Sequence, residues 1–297
     1  MSVICGINWK TPVTTASGTF SRESAALVDV KRLGAVTLKG VSCEPWHGNP
    51  PPRIAETYGG MLNSVGLQNI GADEFIKNEL PFWLRFGTPV IVNLAGHTVD
   101  EYVNAAKKFN DTPVEMFELN ISCPNVDMGG MAFGTDAKTA GHVVSEVKKV
   151  SAKPLIVKLS PNVTDITEIA RAAEASGADA ISMINTILGM KIDITKRKPL
   201  LANTFGGLSG PAVKPVAVRM VYQVSGAVKI PVIGMGGIIN AADAVEFFMA
   251  GASAVAIGTA SFADPHAVIK IIDGIGEFLV KNNINDIEEI IGCSRIK

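Results

Sequence analysis

The segment PVIGMGGIINAADAVEFFMAGASAVAIGTA, residues 231–260, is the most informative part of the sequence about the fold. Its aliphatic runs at residues 232–235 and 254–257 are typical of short strands buried on both faces. Residues 241–250 between them have the apolar spacing of a helix, and Gly251 follows as a C-cap candidate. A strand, a helix and a second strand in this order predict a βαβ unit of a parallel sheet.

The same alternation continues through the 297-residue chain. Aliphatic runs predict eight strands, at residues 12–16, 35–39, 90–94, 116–121, 155–159, 180–184, 232–235 and 254–257. Helical spacing occurs between them at residues 98–109, 137–150, 164–176, 211–225 and 241–250, with Gly177 as a second C-cap candidate. The pattern predicts an α/β fold, a single (β/α)8 TIM barrel, with residues 1–297 forming one domain.

Two long insertions interrupt this rhythm. The first spans residues 41–79 and contains Pro50, Pro51 and Pro52, and the second spans residues 188–209. Long loops inserted between the elements of a barrel usually contain functional residues, so we expect both insertions to cover the active-site mouth.

The amino-acid composition disfavours several classes of function. Apolar residues make up 47% of the chain and charged residues 19%, and the formal net charge is −1, which gives no field to attract nucleic acid or an anionic membrane. No apolar run approaches the roughly 18 residues of a spanning helix, and the N-terminus has no leader pattern, so a cytoplasmic protein is predicted. The four cysteines are widely spaced, and neither a metal nor an iron–sulfur cluster is expected in this chain.

Polar residues lie in the last part of the predicted strands or directly after them, at the ends that converge in a β/α barrel. The residues concerned are Ser17, Lys39, Asn93, Asn120, Cys123, Lys158, Asn185 and Thr186. The last two strands end in GMGGI, residues 234–238, and IGTA, residues 257–260, whose backbone N–H groups can approach an anion. Such glycine clusters are also common as tight turns, but their place after strands seven and eight favours a phosphate site.

Two lysines stand in apolar strand contexts. Lys39 lies in TLKG and Lys158 in IVKLS, so partial burial is predicted, and buried lysines need an anionic partner. A phosphate-bearing cofactor and an anionic substrate are expected to supply those partners. FMN fits better than a dinucleotide because no GxGxxG motif opens a helix after a strand.

Cys123 is the candidate catalytic residue. An isolated cysteine is usually an inert small hydrophobe, but Cys123 lies in NISCPN, residues 120–125, between Asn120, Ser122 and Asn125. The glycine-rich residues 128–134 that follow are predicted to form a lid. The other three cysteines and the four histidines form no cluster in the sequence and are read as structural.

These motifs resemble the class 1 dihydroorotate dehydrogenases over nearly the whole chain, and among them the catalytic subunit of the NAD-linked 1B type. The shared motifs are TASGTF (15–20), GNPPPRIAET (48–57), GMLNSVGLQN (60–69), ELNISCPN (118–125), FGTD (133–136), VKLSPN, MINT, GGLSGPA, GMGGI and IGTA. One departure is VSCEPWH, residues 41–47, where a more basic stretch is expected.

The resemblance implies the functional residues. One FMN per chain would be bound by Ser17, Lys39, Gly40, Asn93, Asn120, Lys158, Ile184, Gly210, Gly236, Gly237, Gly258 and Thr259. Dihydroorotate or orotate would be bound by Lys39, Asn63, Ser64, Val65, Gly66, Leu67, Asn120, Asn125, Asn185 and Thr186. Cys123 would be the base that removes the C5 proton, and Lys158 would stabilise negative charge on the reduced flavin. A free thiol has a pKa of about 8.5, so the rate is expected to rise toward alkaline pH.

The resemblance also implies a partner. Electrons would pass to NAD+ through a subunit carrying FAD and a 2Fe–2S cluster, in a heterotetramer of two catalytic and two electron-transfer chains built on a catalytic-subunit dimer. A related class uses serine as base and has an N-terminal membrane segment, and this sequence has neither, so no membrane partner is expected.

Three alternatives remain open from the sequence. The first is a fumarate-linked homodimer of the 1A type, and the second is a dihydropyrimidine dehydrogenase subunit, whose substrate has no carboxylate. The third is a phosphate-binding barrel of another class, either an isomerase or lyase or a scaffold that retains a phosphate site. Flavin absorbance and the choice of substrate and acceptor distinguish them.

Overall fold

An eight-stranded parallel sheet forms the centre of the molecule, for which the computed structural model describes residues 2–122 and 133–296. Its strands in chain order are β1 Val13–Thr15, β2 Val36–Thr37, β3 Val90–Leu94, β4 Met116–Asn120, β5 Leu155–Lys158, β6 Ala180–Met183, β7 Val232–Gly234 and β8 Ala254–Ile257. Each neighbouring pair from β2 to β8 is hydrogen-bonded, and β8 pairs with β1. All eight predicted strands and the predicted barrel are confirmed.

Threonine side chains close the remaining gap between β1 and β2. The Thr14 hydroxyl donates to the Ala35 carbonyl at 2.9 Å, and the Thr15 hydroxyl donates to the Thr37 carbonyl at 3.2 Å. The Thr37 N–H in turn donates to the Thr15 hydroxyl oxygen at 3.0 Å. Side chains therefore replace part of the backbone ladder where the barrel closes.

Helices surround the sheet. Their bounds are Arg22–Leu27, Ala72–Glu74, Leu80–Leu84, Val99–Asn110, Ala137–Val150, Ile166–Ala175, Lys214–Ser225, Ala241–Ala250, Ala260–Ala263 and Ala267–Lys281, with 3₁₀ turns at Val30–Arg32, Pro211–Val213 and Ile287–Ile290 and a π turn at Phe75–Glu79. The five predicted helices are confirmed. Side-chain caps fix several starts; the predicted helix at residues 164–176 begins at Ile166 because the Asp165 carboxylate accepts from the Thr167 N–H.

A short N-terminal hairpin closes the floor of the barrel. Its strands, Ser2–Ile4 and Ile7–Trp9, pair antiparallel. Ile4 and Trp9 are buried against the inward-facing side chains of the strands, such as Met116. This hairpin was not predicted, because strands of three residues show too little alternation to be recognised.

The two insertions meet in one antiparallel sheet. Its strands lie in the order Ile187–Gly189, Gly206–Ser209, Gly60–Asn63 and Ile54–Thr57. A further small hairpin pairs Ile192–Asp193 with Lys198–Pro199. Residues of both insertions line the cavity at the barrel mouth, which confirms the prediction that they cover it.

The atypical residues 41–47 are held by backbone pairing. Val41 forms a parallel bridge with Leu94, and Trp46 forms an antiparallel bridge with Asn69. The Trp46 ring packs on His97 with 3.9 Å between ring centroids. None of the helices in the described part of the chain is long and apolar enough to span a bilayer.

Candidate active site

A cavity of about 480 Å³ opens at the carboxyl ends of the strands. Most of the predicted ligand-binding residues line it: Ser17, Lys39, Gly40, Asn63, Ser64, Val65, Gly66, Leu67, Asn120, Lys158, Ile184, Asn185, Thr186, Gly210, Gly236, Gly237, Gly258 and Thr259. They come from seven of the eight strand ends, from the first insertion and from Gly210, which directly follows the second insertion. The fold therefore brings together residues that lie more than 240 positions apart in the sequence.

Asn93 lies beneath the cavity wall. It is 0% exposed, and its Nδ2 donates to Glu118 Oε1 at 2.6 Å. Its Oδ1 is buried and has no hydrogen-bond partner within residues 2–122 and 133–296. A Cβ added to Gly40, which does line the cavity, would lie 2.8 Å from this oxygen. A buried acceptor without a donor is costly, so Asn93 is suited to receive a ligand N–H or O–H at this wall.

Lys39 is a half-buried cation without a counter-ion. Within residues 2–122 and 133–296 no carboxylate forms an ion pair with it. Burial, and then the positive charge of Arg53, lower the pKa of Lys39 below its usual value. The predicted partial burial of Lys39 is confirmed, and the ammonium is suited to an anionic ligand.

Lys158 differs from Lys39 because the protein supplies its partner. Lys158 is 5% exposed, and its Nζ lies 3.8 Å from Glu118 Oε1 inside the barrel. The predicted burial is confirmed, but the anionic partner, which was expected to be a cofactor or substrate, is Glu118 of the protein itself. Glu118, which is 3% exposed, was missed. The signal was available in ELN, residues 118–120, where Glu118 has the same inward phase as Asn120.

The glycine-rich end of the cavity has an open backbone. Gly236 and Gly237 adopt φ angles of +124° and +79°. A Cβ on Gly237 would lie 2.7 Å from Lys214 Cβ and 2.9 Å from the Gly210 carbonyl oxygen, so only glycine fits. Lys214 pairs with Asp243 at 2.8 Å, so this lysine is already neutralised. The backbone itself is left to recognise an anion here.

Amide and hydroxyl groups that follow β4 and β6 form a connected wall of the cavity. The Ser122 hydroxyl donates to Asn120 Oδ1 at 2.5 Å, and Asn185 Nδ2 donates to the Ser122 hydroxyl oxygen. The Thr186 N–H donates to Asn185 Oδ1 at 2.8 Å. These groups provide hydrogen-bonding edges for a polar heterocycle.

The first insertion presents residues 63–67 to the cavity, and its own polar residues hold them. Asn49 Nδ2 donates to the Ser64 carbonyl at 3.2 Å and to the Ser64 hydroxyl at 3.0 Å. Arg53 Nη1 donates to Gln68 Oε1 at 2.5 Å. Asn49 and Arg53 lie in the shared motif GNPPPRIAET, but no role was predicted for them.

Several further cavity residues were not predicted, among them Asn49, Asn162, Asn203 and Phe205. Asn162 joins two loops, because its Nδ2 donates to the Thr186 carbonyl at 3.1 Å and its Oδ1 accepts from the Leu188 N–H at 2.9 Å. SPN after β5 repeats the pattern of CPN after β4, and this repetition could have revealed Asn162.

Cys123, Asn125 and most of the predicted lid at residues 128–134 lie outside the described residues. Cys5, Cys43 and Cys293 have free thiols. Among the described residues, no three His, Cys, Asp or Glu side chains are grouped to hold a metal ion.

Comparisons with known proteins agree with this geometry. The family model described as dihydroorotate dehydrogenase matches residues 1–279. A protein of Lachnoclostridium phytofermentans named "Dihydroorotate dehydrogenase B (NAD(+)), catalytic subunit" is 59% identical over 98% of this chain and 97% of its own length. A protein of Alkaliphilus metalliredigens with the same name is 60% identical over 97% of this chain and 96% of its own length. The chain therefore belongs to the dihydroorotate dehydrogenase family.

Proposed function

We propose that this chain is the catalytic subunit of an NAD+-linked dihydroorotate dehydrogenase, which oxidises (S)-dihydroorotate to orotate in de novo pyrimidine (UMP) synthesis. The names of relatives that are 59–60% identical support this activity and acceptor. The observation that carries the proposal is the cavity itself, which combines an unpaired half-buried lysine, an unpartnered buried acceptor and an open glycine backbone.

The residues present fit FMN. The glycine end suits its phosphate, and the Asn93 oxygen suits a ring or ribityl donor. The residues that would hold the cofactor are Ser17, Lys39, Gly40, Asn93, Asn120, Lys158, Ile184, Gly210, Gly236, Gly237, Gly258 and Thr259. When bound, FMN supplies the hydride acceptor, at N5, for C6 of dihydroorotate.

Substrate recognition is assigned to the amide wall, to residues 63–67 and to Lys39. The amides of Asn63, Asn120 and Asn185 can each donate and accept, which matches the alternating edges of a pyrimidine dione. Lys39 provides the cation for the carboxylate, and the proposal includes Thr186 and Asn125 at the same ring. A substrate without a carboxylate would leave Lys39 without its anion, which disfavours dihydrouracil.

Cys123 is assigned as the base that takes the C5 proton of dihydroorotate. The loss of the proton at C5 and of the hydride at C6 together form the C5=C6 bond of orotate. The Lys158 ammonium lies within the barrel and is assigned to stabilise negative charge that develops beside it.

A partner subunit would carry the electrons onward. We assign FAD and a 2Fe–2S cluster to that subunit, in a heterotetramer of two catalytic and two electron-transfer chains around a catalytic dimer. The names of the relatives, which specify a catalytic subunit and NAD(+), support a separate partner. A cytoplasmic location stays a prediction.

The test is anaerobic spectroscopy of the chain purified with and without its co-expressed partner. Dihydroorotate should bleach the flavin absorbance, dihydrouracil should not, and NAD+ should reoxidise the complex faster than fumarate. Cys123→Ala should retain flavin and bleach far more slowly, whereas the matched control Cys43→Ala should behave as the parent. A colourless parent, or a Cys123→Ala variant that bleaches at the parent's rate, would contradict the proposal.

A further inference from the structure

Glu118 is a charged residue placed inside the barrel. In β4, Met116 packs with the residues that fill the barrel interior, and Phe117 and Leu119 pack with the outer core under the helices. Because side chains alternate along a strand, Glu118 shares the inward phase of Met116. Its carboxyl group lies one layer above an aliphatic floor and one layer below Asn120.

Both carboxylate oxygens of Glu118 are occupied. Oε1 accepts from Asn93 Nδ2 at 2.6 Å and lies 3.8 Å from Lys158 Nζ. Oε2 accepts from the Ser182 hydroxyl at 2.9 Å. All four side chains are buried, so the group forms one desolvated polar layer directly under the cavity.

This arrangement determines which way the Asn93 amide faces. A carboxylate can only accept, so it binds the amide through the NH₂ group. The amide oxygen is then directed away from Glu118, and it is this Oδ1 that is buried without a partner beside Gly40. A glutamine in place of Glu118 would have both a donor and an acceptor and would not impose this orientation through charge.

Glu118 also sets the charge of the layer. Lys158 is the cation nearest to it, and burying that ammonium without an anion would be expensive. The Glu118 carboxylate and the Lys158 ammonium balance each other, so the layer is neutral before any ligand binds. Because Glu118 balances its charge, Lys158 attracts negative charge in the cavity more weakly.

We infer that Glu118 is a positioning residue for the flavin, which directs the Asn93 oxygen toward the cavity and balances the charge of Lys158. This inference rests on the proposed function, because it concerns the cofactor assigned to that cavity. Glu118 acts through Asn93 and Lys158, and the cavity-lining residues do not include it.

Two variants separate charge from orientation. Glu118→Gln keeps the size of the side chain and removes its charge, so reduced, negatively charged flavin should be favoured over oxidised flavin. We expect about a tenfold change in the ratio of their dissociation constants, a positive shift of about 30 mV for the two-electron couple. Glu118→Asp keeps the charge but shortens the reach to Asn93, so FMN should bind about tenfold more weakly with a smaller shift of the potential.

The measurements are the flavin midpoint potential, by anaerobic dye equilibration, and the FMN dissociation constant of the apoprotein, by fluorescence quenching. The matched control is Glu115→Gln, which neutralises a glutamate just before β4, at the other end of the strand. Glu115→Gln should leave the potential and the affinity at the parent's values.

The outcomes are distinct. A Glu118→Gln potential equal to those of the parent and Glu115→Gln overturns the inference, as does a Glu118→Asp variant that binds FMN as tightly as the parent. If Glu118→Gln does not fold, Glu118→Asp still decides the orientation role. A parent that binds no flavin, or that dihydroorotate does not bleach, instead defeats the proposed function.

Discussion

Two lysines at the barrel mouth show how a side chain's neighbours decide its role. Lys158 has Glu118 at 3.8 Å, so its charge is balanced within the protein. Lys39 has no such partner among the described residues, and burial and Arg53 hold its pKa below the usual range. Lys158 is therefore a cation whose charge the protein balances, whereas Lys39 is a cation that is suited to bind an anionic ligand.

Replacing Lys39 by methionine should remove recognition of the carboxylate. A charge-assisted hydrogen bond contributes about 1.5–3 kcal/mol, so we expect orotate to bind Lys39→Met roughly 10–100-fold more weakly. In the parent, affinity should fall as pH rises through the lowered pKa of Lys39, because the ammonium loses its charge. Titration of orotate binding against pH measures both effects; a Lys39→Met variant with the parent's affinity contradicts the assignment.

The same substitution should stabilise the ligand-free protein. Between the lowered pKa of Lys39 and 10.5, the unfolded chain binds more protons, so stability of the parent relative to Lys39→Met rises with pH in that window. Below the lowered pKa of Lys39, the ammonium is charged in both the folded and the unfolded chain, so the full cost of burying its charge is present. Denaturant unfolding at several pH values should show Lys39→Met more stable at neutral pH, with the gap closing toward alkaline pH. Lys198→Met, at an exposed position, should show no such trend.

Alanine substitutions at two glycines, Gly237 and Gly276, should change the stability of the protein in opposite directions. Gly237→Ala imposes a side chain at φ +79° and within 3 Å of Lys214 and Gly210, so it should destabilise by at least about 1–3 kcal/mol and lose FMN on gel filtration. Gly276 lies in the helix Ala267–Lys281 with nothing within 4 Å of an added Cβ. Gly276→Ala should stabilise by about 0.5–1 kcal/mol and keep the flavin. Equal effects would contradict a special role for Gly237.

Among the elements, the junction of β1 and β2 is the least supported by backbone pairing. The two strands carry Ser17 and Lys39 at their carboxyl ends, and side-chain bonds from Thr14 and Thr15 hold them together. The geometry of that side of the mouth therefore depends on two hydroxyl groups.

Thr15→Val tests this junction. Valine has nearly the shape of threonine but leaves the buried Thr37 N–H without its acceptor, at a cost of about 1–3 kcal/mol. Hydrogen exchange should rise at the amides of β2, and the unfolding midpoint should fall. Thr195→Val, at an exposed position, is the control. Unchanged exchange in β2 would show that the backbone alone holds the junction.

How well each strand could be predicted from the sequence depends on where the strand lies in the fold. The barrel strands were found because burial on both faces leaves an uninterrupted aliphatic run. The sheet of the insertions was not found, since Asn63 pairs with Gly207 and no local pattern reports such a distant partner. Polar residues that end a strand or directly follow one, such as Lys158 and Ser17, were singled out and line the cavity. Glu118 was missed because it lies at the centre of β4, where its position gives no such signal.

At the scale of the whole molecule, one ligand would connect seven strand ends around the cavity. Removing FMN should therefore lower the melting temperature; at 100-fold excess over its dissociation constant, FMN adds about 2.7 kcal/mol. Hydrogen exchange of the apoprotein should increase at the mouth, near Gly237 and Thr259, and change little at the floor, near Trp9. A uniform increase over the whole chain would contradict a site confined to the mouth.

The floor of the barrel has a consequence for how the protein is made. The hairpin of Ile4 and Trp9 precedes every barrel strand in the chain, so it leaves the ribosome before any of them. Its packing partners include Ala254 and Ala256 of the last strand. During synthesis the burial of these two apolar side chains is completed only some 245 residues later, which gives nascent-chain chaperones a defined segment to shield.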